Sequence, residues 1–550
     1  MKYIKISIVI LLVSFISIFA YKLTTNNSTN KLSLTKEQMK EMLSYTIDGN
    51  KTSSMPTKGS GYKVKSITCK NGSILSWDND NWLLEVEKVE SEDLCNIDFT
   101  KNETLYNVKL IPTISKSFDS TSKTTTKNGT TTFYTNLKIK NITGCDSEIL
   151  KGKVVVKNVT SNTTCNVEIT KNIYNMLLIN NPIIKTRTDF NSAFSETNTE
   201  TLFKAQEDNT DVYYFAGDAR NNWVKFGTWK EDKKIIIGHS SSDFIYTFND
   251  LISCNSNTYY NNDCKEVVLA KKGEDMYWRI IRTDKDGGVK LLYSGTSVDS
   301  VTALISTSMF NPTSNDTHHV GYMYGTSGSL ENNRTNENNS LIKEVIDNWY
   351  KNNLIEYTKY LSSSAVYCND RGVSGESNYS TTNSFSYDGF NRIQGLEVEQ
   401  LKPFSAKVQP SYKCNNKFDS FSVRNDNAKL VYPIGLMTVD ETVYAGALYG
   451  KSSLIWYGYN SLLEDNLSID KKSSIEWWTM SPYYQKNDNN YIHNYVYSIT
   501  NYTGKHKGVL GFGSYLTYPQ AVRPVITLNG ESLWKSGDGR AESPYEIVMN

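Results

Sequence analysis

The segment Leu84-Glu85-Val86-Glu87-Lys88-Val89 to Cys95-Asn96-Ile97-Asp98-Phe99 lines up without gaps on Val154-Val155-Val156-Lys157-Asn158-Val159 to Cys165-Asn166-Val167-Glu168-Ile169. That repetition constrains the amino-terminal part of the chain more than any other feature. Upstream, Ile67 and Cys69 with Ile74 and Leu75 correspond to Ile142 and Cys145 with Ile149 and Leu150. Leu84 and Val86, like Val154 and Val156, alternate with polar residues, so each copy is expected to be a small antiparallel β-unit. Such a unit has little core. A bond from Cys69 to Cys95, or from Cys145 to Cys165, closes a loop of about twenty residues and contributes roughly 3 kcal/mol in the chain-entropy model. Between the copies, Ser117 to Thr132 is dominated by Ser, Thr and Lys and reads as a polar hairpin tip or linker. The role expected of the pair is that of a spacer.

The eight cysteines carry this reading to the whole chain. None forms a Cys-x-x-Cys pair, which disfavours clustered metal ligation. An even count in an exported protein reads as disulfides, and sequence proximity adds Cys254 with Cys264 and Cys368 with Cys414; the alternative is that some are free buried thiols. Export itself is read from the amino terminus. Ile6 to Tyr21 is uncharged and follows Lys2 and Lys5, the charge order of a signal sequence or signal anchor. Ile18 and Ala20 give a poor cleavage site and the run is a little short of the ~20 residues a spanning helix prefers, so both a retained anchor and a cleaved signal stay open. Beyond it, Ser33 to Ile47 predicts a short helical stalk, with Thr35 and Gln38 as a capping box. A net charge of +1 gives no electrostatic reason to expect nucleic acid. Ten Trp, 37 Tyr and 19 Phe are enough to build real cores.

From about Ile173 the texture changes. Strand signals at Val212–Ala216, Trp223–Phe226, Met276–Ile281 and Val289–Tyr293 flank a turn at Asp286-Gly287-Gly288, and a helix is predicted to begin near Ser340. A series of short patterns runs through this region: Tyr213 to Gly217, Asn221 to Phe226, Tyr-Trp-Arg-Ile-Ile-Arg at Tyr277 to Arg282, Cys-Asn-Asp-Arg at Cys368 to Arg371 and Tyr-Pro-Ile-Gly-Leu-Met-Thr at Tyr432 to Thr438. Trp-Trp-Thr-Met-Ser-Pro at Trp477 to Pro482, Val-Arg-Pro-Val-Ile at Val522 to Ile526, Gly-Asp-Gly at Gly537 to Gly539 and Ser-Pro-Tyr-Glu-Ile at Ser543 to Ile547 complete it. Together the series resembles the uncharacterised domain family DUF6273, whose patterns are similar to those of C-type-lectin-like and formylglycine-generating-enzyme-like folds. The resemblance implies an α+β display scaffold, often preceded by Cys-bracketed β-repeats, without naming a ligand.

Residues for catalysis were sought and are sparse. The five histidines, His239, His318, His319, His493 and His506, come with no Gly-x-Ser-x-Gly elbow and no His-Glu-x-x-His pair. His318 and His319 read as a solvated loop, adjacent side chains on an extended chain pointing to opposite faces. The reactive cysteine pair of the formylglycine-generating relatives has no counterpart, because the last cysteine, Cys414, precedes Val522 by more than a hundred residues. Asp78, Asn79, Asp80 and Asp538 offer oxygen atoms but lack the spacing of a calcium loop and are expected to make turns.

The expected architecture is therefore α+β, with two small all-β disulfide-closed repeats, a carboxyl-terminal lectin-like domain and an amino-terminal transmembrane helix. The boundaries are 1–22 for the signal anchor or signal peptide, 23–58 for the stalk, 59–105 for the first repeat, 106–172 for the linker hairpin and second repeat, and 173–550 for the lectin-fold domain. No enzyme activity, cofactor or metal is expected. The expected role is display of a binding or adhesion domain outside the cell, toward an unknown protein or glycan. A cell-envelope hydrolase or oxidase and a passive envelope component are the rivals. Trp278, Trp477, Trp478 and Arg523 are assigned to the framework, Arg523 as an internal clamp that needs a buried carboxylate or carbonyl partners. Tyr457, Tyr459, Tyr483, Tyr484 and Tyr491 are assigned to one exposed ligand face, since tyrosine gives large contact area at low entropy cost.

Overall fold

The computed structural model describes residues 6–11, 18–23, 41–90, 92–101, 104–114, 118–239, 245–300, 302–373, 379–393, 408–458, 476–500, 507–510 and 513–550. It is mostly β, with 44% strand and 13% helix, which corrects the α+β, lectin-like expectation. Period-two alternation wins along most of the chain, and the helical pattern is long only at Leu341–Asn353. Among the described residues no helix is long and apolar enough to cross a membrane. The amino-terminal run contributes two strands instead, β1 (Ile6–Leu11) and β2 (Ile18–Leu23), paired antiparallel. Its β-branched Ile and Val residues favour extended backbone as readily as an apolar helix. The chain divides into two compact units, one built mainly from residues up to Glu168 and one from Ile169 to Asn550.

In the first unit, β3 (Leu43–Ile47) replaces the end of the predicted stalk helix, whose capping box at Thr35 and Gln38 lies outside the described residues. Tyr45, Thr46 and Ile47 suit a strand, and pairing decides the matter. This strand runs antiparallel to β4 (Asn50–Thr52), while Leu43 to Ile47 lie parallel to Cys95 to Phe99. Then come β5 (Tyr62–Cys69), β6 (Ile74–Asp78), β7 (Leu83–Lys88) and β8 (Cys95–Lys101). The second copy has β9 (Tyr106–Pro112), β10 (Ser122–Thr125), β11 (Gly129–Tyr134), β12 (Ile139–Thr143), β13 (Ser147–Leu150), β14 (Lys153–Val159) and β15 (Thr163–Ile169). One sheet of each copy has the same order, β4-β3-β8-β5 and β10-β9-β15-β12. The core of the first copy is small: Trp82, Leu84, Val86, Ile97 and Phe99 are buried, with Trp77 and Tyr45 packed at its edge. Cys69–Cys95 and Cys145–Cys165 are both disulfides, with Cα separations of 4.0 and 5.3 Å. The Asp78 carboxylate accepts from the backbone N–H groups of Asp80 and Asn81, a turn formed by a short acidic side chain bonding the chain just ahead of it.

The second unit contains two eight-stranded sheets. The first runs Ile183–Lys185, Thr201–Glu207, Thr210–Tyr214, Asp275–Thr283, Val289–Tyr293, Val525–Leu528, Ile434–Gly435, and Trp223–Thr228 also pairs with Asp275–Thr283. Gly287, at φ +82°, turns the chain between two of these strands, and the Asp284 carboxylate accepts from the Gly288 N–H. Helix Leu341–Asn353 starts where the Ser340 hydroxyl accepts from the Lys343 N–H, and it buries Ile342, Ile346 and Trp349. Trp349 meets Trp229, Trp278 and Tyr293 in one aromatic cluster with ring separations of 5.6 to 6.5 Å. The second sheet is organised by a long hairpin of Trp477–Asp488 and Tyr491–Thr500, flanked by Gln520–Val522, Ser306–Ser308, Ser514–Tyr515 and others. Asn489 and Asn490, at φ 52° and 72°, make its turn, the mirror-image geometry that matches strand twist. Cys254–Cys264 and Cys368–Cys414 close the two remaining disulfides.

Candidate functional site

Successive residues of a strand face opposite ways, and that rule splits the predicted tyrosine face. Tyr457 sits in a helical turn, Trp456–Gly458, and is 0% exposed; its ring lies edge-on to Trp477 at 5.8 Å. Tyr483 is 3% exposed. Both are framework, a correction to their assignment to an open face. Tyr459 lies outside the described residues. Tyr484 is half-buried, and Tyr491, beside the hairpin turn, is 73% exposed.

What the hairpin does present is a different set of rings. Tyr484 packs against Tyr495 at 4.8 Å, Tyr495 against Tyr515 at 4.6 Å, and Tyr515 against Tyr518 at 5.1 Å. The His493 imidazole meets the Tyr515 ring edge-on at 5.3 Å. Tyr246 and Tyr260 stack at 4.9 Å; burial raises the Tyr246 phenol, with Tyr260 and Tyr518 adding to it, and burial raises Tyr518, with Tyr515 and Tyr260 adding to it. Burial lifts the Tyr484 phenol to about 12. Tyr518 is 52% exposed and Tyr484, Tyr515, Tyr246 and Tyr260 are intermediate, whereas Tyr495, which links Tyr484 to Tyr515, is buried. Rings already held by their neighbours lose little further entropy when a surface covers them. Sequence reasoning missed Tyr515, Tyr518, Tyr246 and Tyr260 because they come from three segments distant along the chain.

The framework residues behave as tie-bars. Trp278 Nε1 donates to the Phe226 carbonyl and Trp478 Nε1 to the Ser308 carbonyl, both at 2.8 Å. Arg523 is buried against the Trp477 ring, and carbonyls rather than a carboxylate hold it: it donates to Tyr293 O and Tyr457 O, and to the Ser294 hydroxyl. Among the described residues no acid bonds it, and burial pushes the guanidinium down to about 9.

A second concentration of chemistry is a small cleft lined by Glu207, Arg282, Lys290, Asp370, Arg392, Tyr412, Asp440 and Glu441 among others. Arg282 pairs with Glu207 and Glu441 at 3.0 Å, Lys290 with Glu441 at 2.7 Å, and Arg392 with Asp370 at 2.8 Å and Asp440 at 2.9 Å. Burial raises the Glu441 carboxyl, but Lys290 and Arg282 outweigh it and hold the group at about 2. At Asp440 burial outweighs Arg392 and the pKa is raised. The four acids are matched by cations already bonded to them, so this is a clamp that ties strands Asp275–Thr283 and Val289–Tyr293 to the short helix Val439–Tyr444. The capping box Thr438-x-x-Glu441 is its only local signal in sequence.

Among the described residues no histidine lines the cleft. His318 and His319 do not splay apart as expected of an extended chain: they sit in the turn Thr317–Val320 with rings 4.0 Å apart. His318 Nδ1 bonds Asp316 at 2.6 Å and His319 Nδ1 bonds the Thr313 hydroxyl at 2.7 Å. Burial and the neighbouring His318 lower His319 to about 4. His506 lies outside the described residues. Comparison of the chain with family models, with curated proteins and with solved structures found no match in any of the three.

Proposed function

We propose that the chain is an exported recognition protein whose second unit binds a protein or glycan at the tyrosine ladder. The observation that carries this reading is the row of tilted, packed rings from Tyr484 over the buried Tyr495 to Tyr515 and Tyr518, of which Tyr484, Tyr515 and Tyr518 are partly exposed. Four disulfides with no free cysteine support a location outside the reducing cytosol. The motif series that resembles DUF6273 supports a display scaffold rather than an enzyme. An exposed aromatic patch also favours binding over a passive envelope role, for which such a patch has no use. Covering two or three tyrosines supplies several kcal/mol at ~25 cal/mol per Å² of apolar surface, before association costs are subtracted. The test is a glycan and surface-protein array probed with the oxidised full chain and with its Tyr484→Ala/Tyr518→Ala variant. Spots that bind the parent and not the variant support the reading; equal binding by both removes the ladder as the site.

A further inference from the structure

The two repeats differ at one edge. In the second copy, β14 lies between β13 and β11, with Phe133 opposite Val154, Thr132 opposite Val155 and Thr131 opposite Val156. Phe133 is fully buried there. The first copy has the matching hairpin of β6 and β7, but between β4 and β5 it has no strand to play the part of β11. That stretch carries Pro56, which has no N–H to give a ladder, and Gly59 and Gly61 at φ +81° and +84°. The missing place is taken from elsewhere in the chain: Ile8 lies opposite Leu84, Ser7 opposite Glu85 and Ile6 opposite Val86. Leu84 and Val86 are the repeat equivalents of Val154 and Val156. Thus β1 meets β7 in the same antiparallel sense and the same register as β11 meets β14.

We infer that the first repeat is an incomplete module whose β7 edge is a strand-accepting site, and that its occupant is this chain's own segment Ile6–Leu11. An open edge leaves a row of backbone N–H and C=O groups unpaired and invites association, so a repeat that lacks its own edge strand must borrow one. Strand addition satisfies those groups through the main chain, and alternate side chains fix the register. In register, Ile8 takes the place opposite Leu84 that Phe133 takes opposite Val154 in the second copy. The apolar amino-terminal run then has a part in the fold of the first unit, and its removal leaves β7 as an exposed edge. The inference stands independently of the tyrosine ladder.

The test uses the full chain carrying Ser7→Cys with Glu85→Cys. Residues directly opposite in an antiparallel pair have Cβ atoms about 4.5–5.5 Å apart, close enough to oxidise together after modest adjustment. Thr132→Cys with Val155→Cys is the matched control in the second copy, and Ile10→Cys with Glu85→Cys is the out-of-register control. Non-reducing peptide mapping of monomeric protein is expected to find the Ser7/Glu85 bridge within one chain, as for Thr132/Val155, and free thiols for Ile10/Glu85. A Ser7/Glu85 pair that stays unlinked or links two copies, while the Thr132/Val155 control closes, overturns the inference. Amide exchange on the unmodified full chain asks the same without substitutions: β7 protected to the extent of β14 agrees, and β7 exchanging like an open edge contradicts.

Discussion

The two ends of the long hairpin are built from the same residue types and do opposite things. At the inner end Trp477, Trp478, Tyr483, Tyr497 and Ile499 are buried, and Trp478 is pinned to the Ser308 carbonyl, two strands away in the same sheet. At the outer end Tyr484 packs on Tyr495, His493 meets Tyr515, Tyr515 meets Tyr518, and Tyr491 stands exposed beside the turn at Asn489 and Asn490. The register of the pair shifts between Trp478 and Pro482 and again between Pro482 and Gln485, just where buried positions give way to half-exposed ones. Bulges of this kind re-aim side chains. The lesson is that an aromatic residue in this unit is framework or display according to its place along one hairpin, not according to its type.

The largest break in that contrast is expected at the inner end. Trp478→Ala removes a fully buried indole and should destabilise the second unit by roughly 3 to 5 kcal/mol, read as a lower denaturant midpoint. Glu441→Gln comes next. It leaves Lys290 and Arg282 buried beside a neutral amide, and breaking a buried pair from one side costs about 3 kcal/mol or more.

The pH dependence of that loss sharpens the comparison further. Glu441 is held below its ordinary carboxylate range, at about 2, so its stabilising contribution is fully present above the unfolded value near 4.5. It fades as pH falls from about 4.5 toward 2. The stability gap between the parent and Glu441→Gln should therefore narrow across that window in urea titrations, and a gap that widens would show that Glu441 is not the ionised partner. Asp440, raised by burial, works in the opposite sense and is common to both proteins, so it drops out of the difference. Smallest of all is the outer end: Tyr518→Ala, at 52% exposure, should move stability by less than about 1 kcal/mol, checked by the same midpoint.

Much of the local design was legible because it is local. The repeat alignment and sequence proximity point to Cys69–Cys95, Cys145–Cys165, Cys254–Cys264 and Cys368–Cys414, and each closes a span of 10 to 46 residues. The helix from Leu341 and the strands around Trp278 and Trp477 follow from period and capping. Arg523 was readable as buried with a carboxylate or carbonyls as partners, although not which of the two holds it. What was not legible depends on distant segments. Tyr457 stands in a polar stretch of sequence yet turns inward onto Trp477, and Tyr483 is separated from Tyr484 only by the alternation of a strand. Arg282 and Glu441 are 159 residues apart. Ile6 to Tyr21 has the composition of a spanning helix, and the pairing of Ile6, Ser7 and Ile8 with Val86, Glu85 and Leu84 joins segments far apart in sequence.

The central claim is that recognition and stability reside on different tyrosines and tryptophans of the second unit. The most direct measurement is titration of an array-identified glycan or protein ligand against the oxidised full chain and its Tyr484→Ala/Tyr515→Ala/Tyr518→Ala variant, with melting temperature recorded on the same samples. The account predicts at least a tenfold weaker Kd for the variant at a melting temperature within a few degrees of the parent. An unchanged Kd, or a loss of binding that only accompanies loss of the fold, would contradict it.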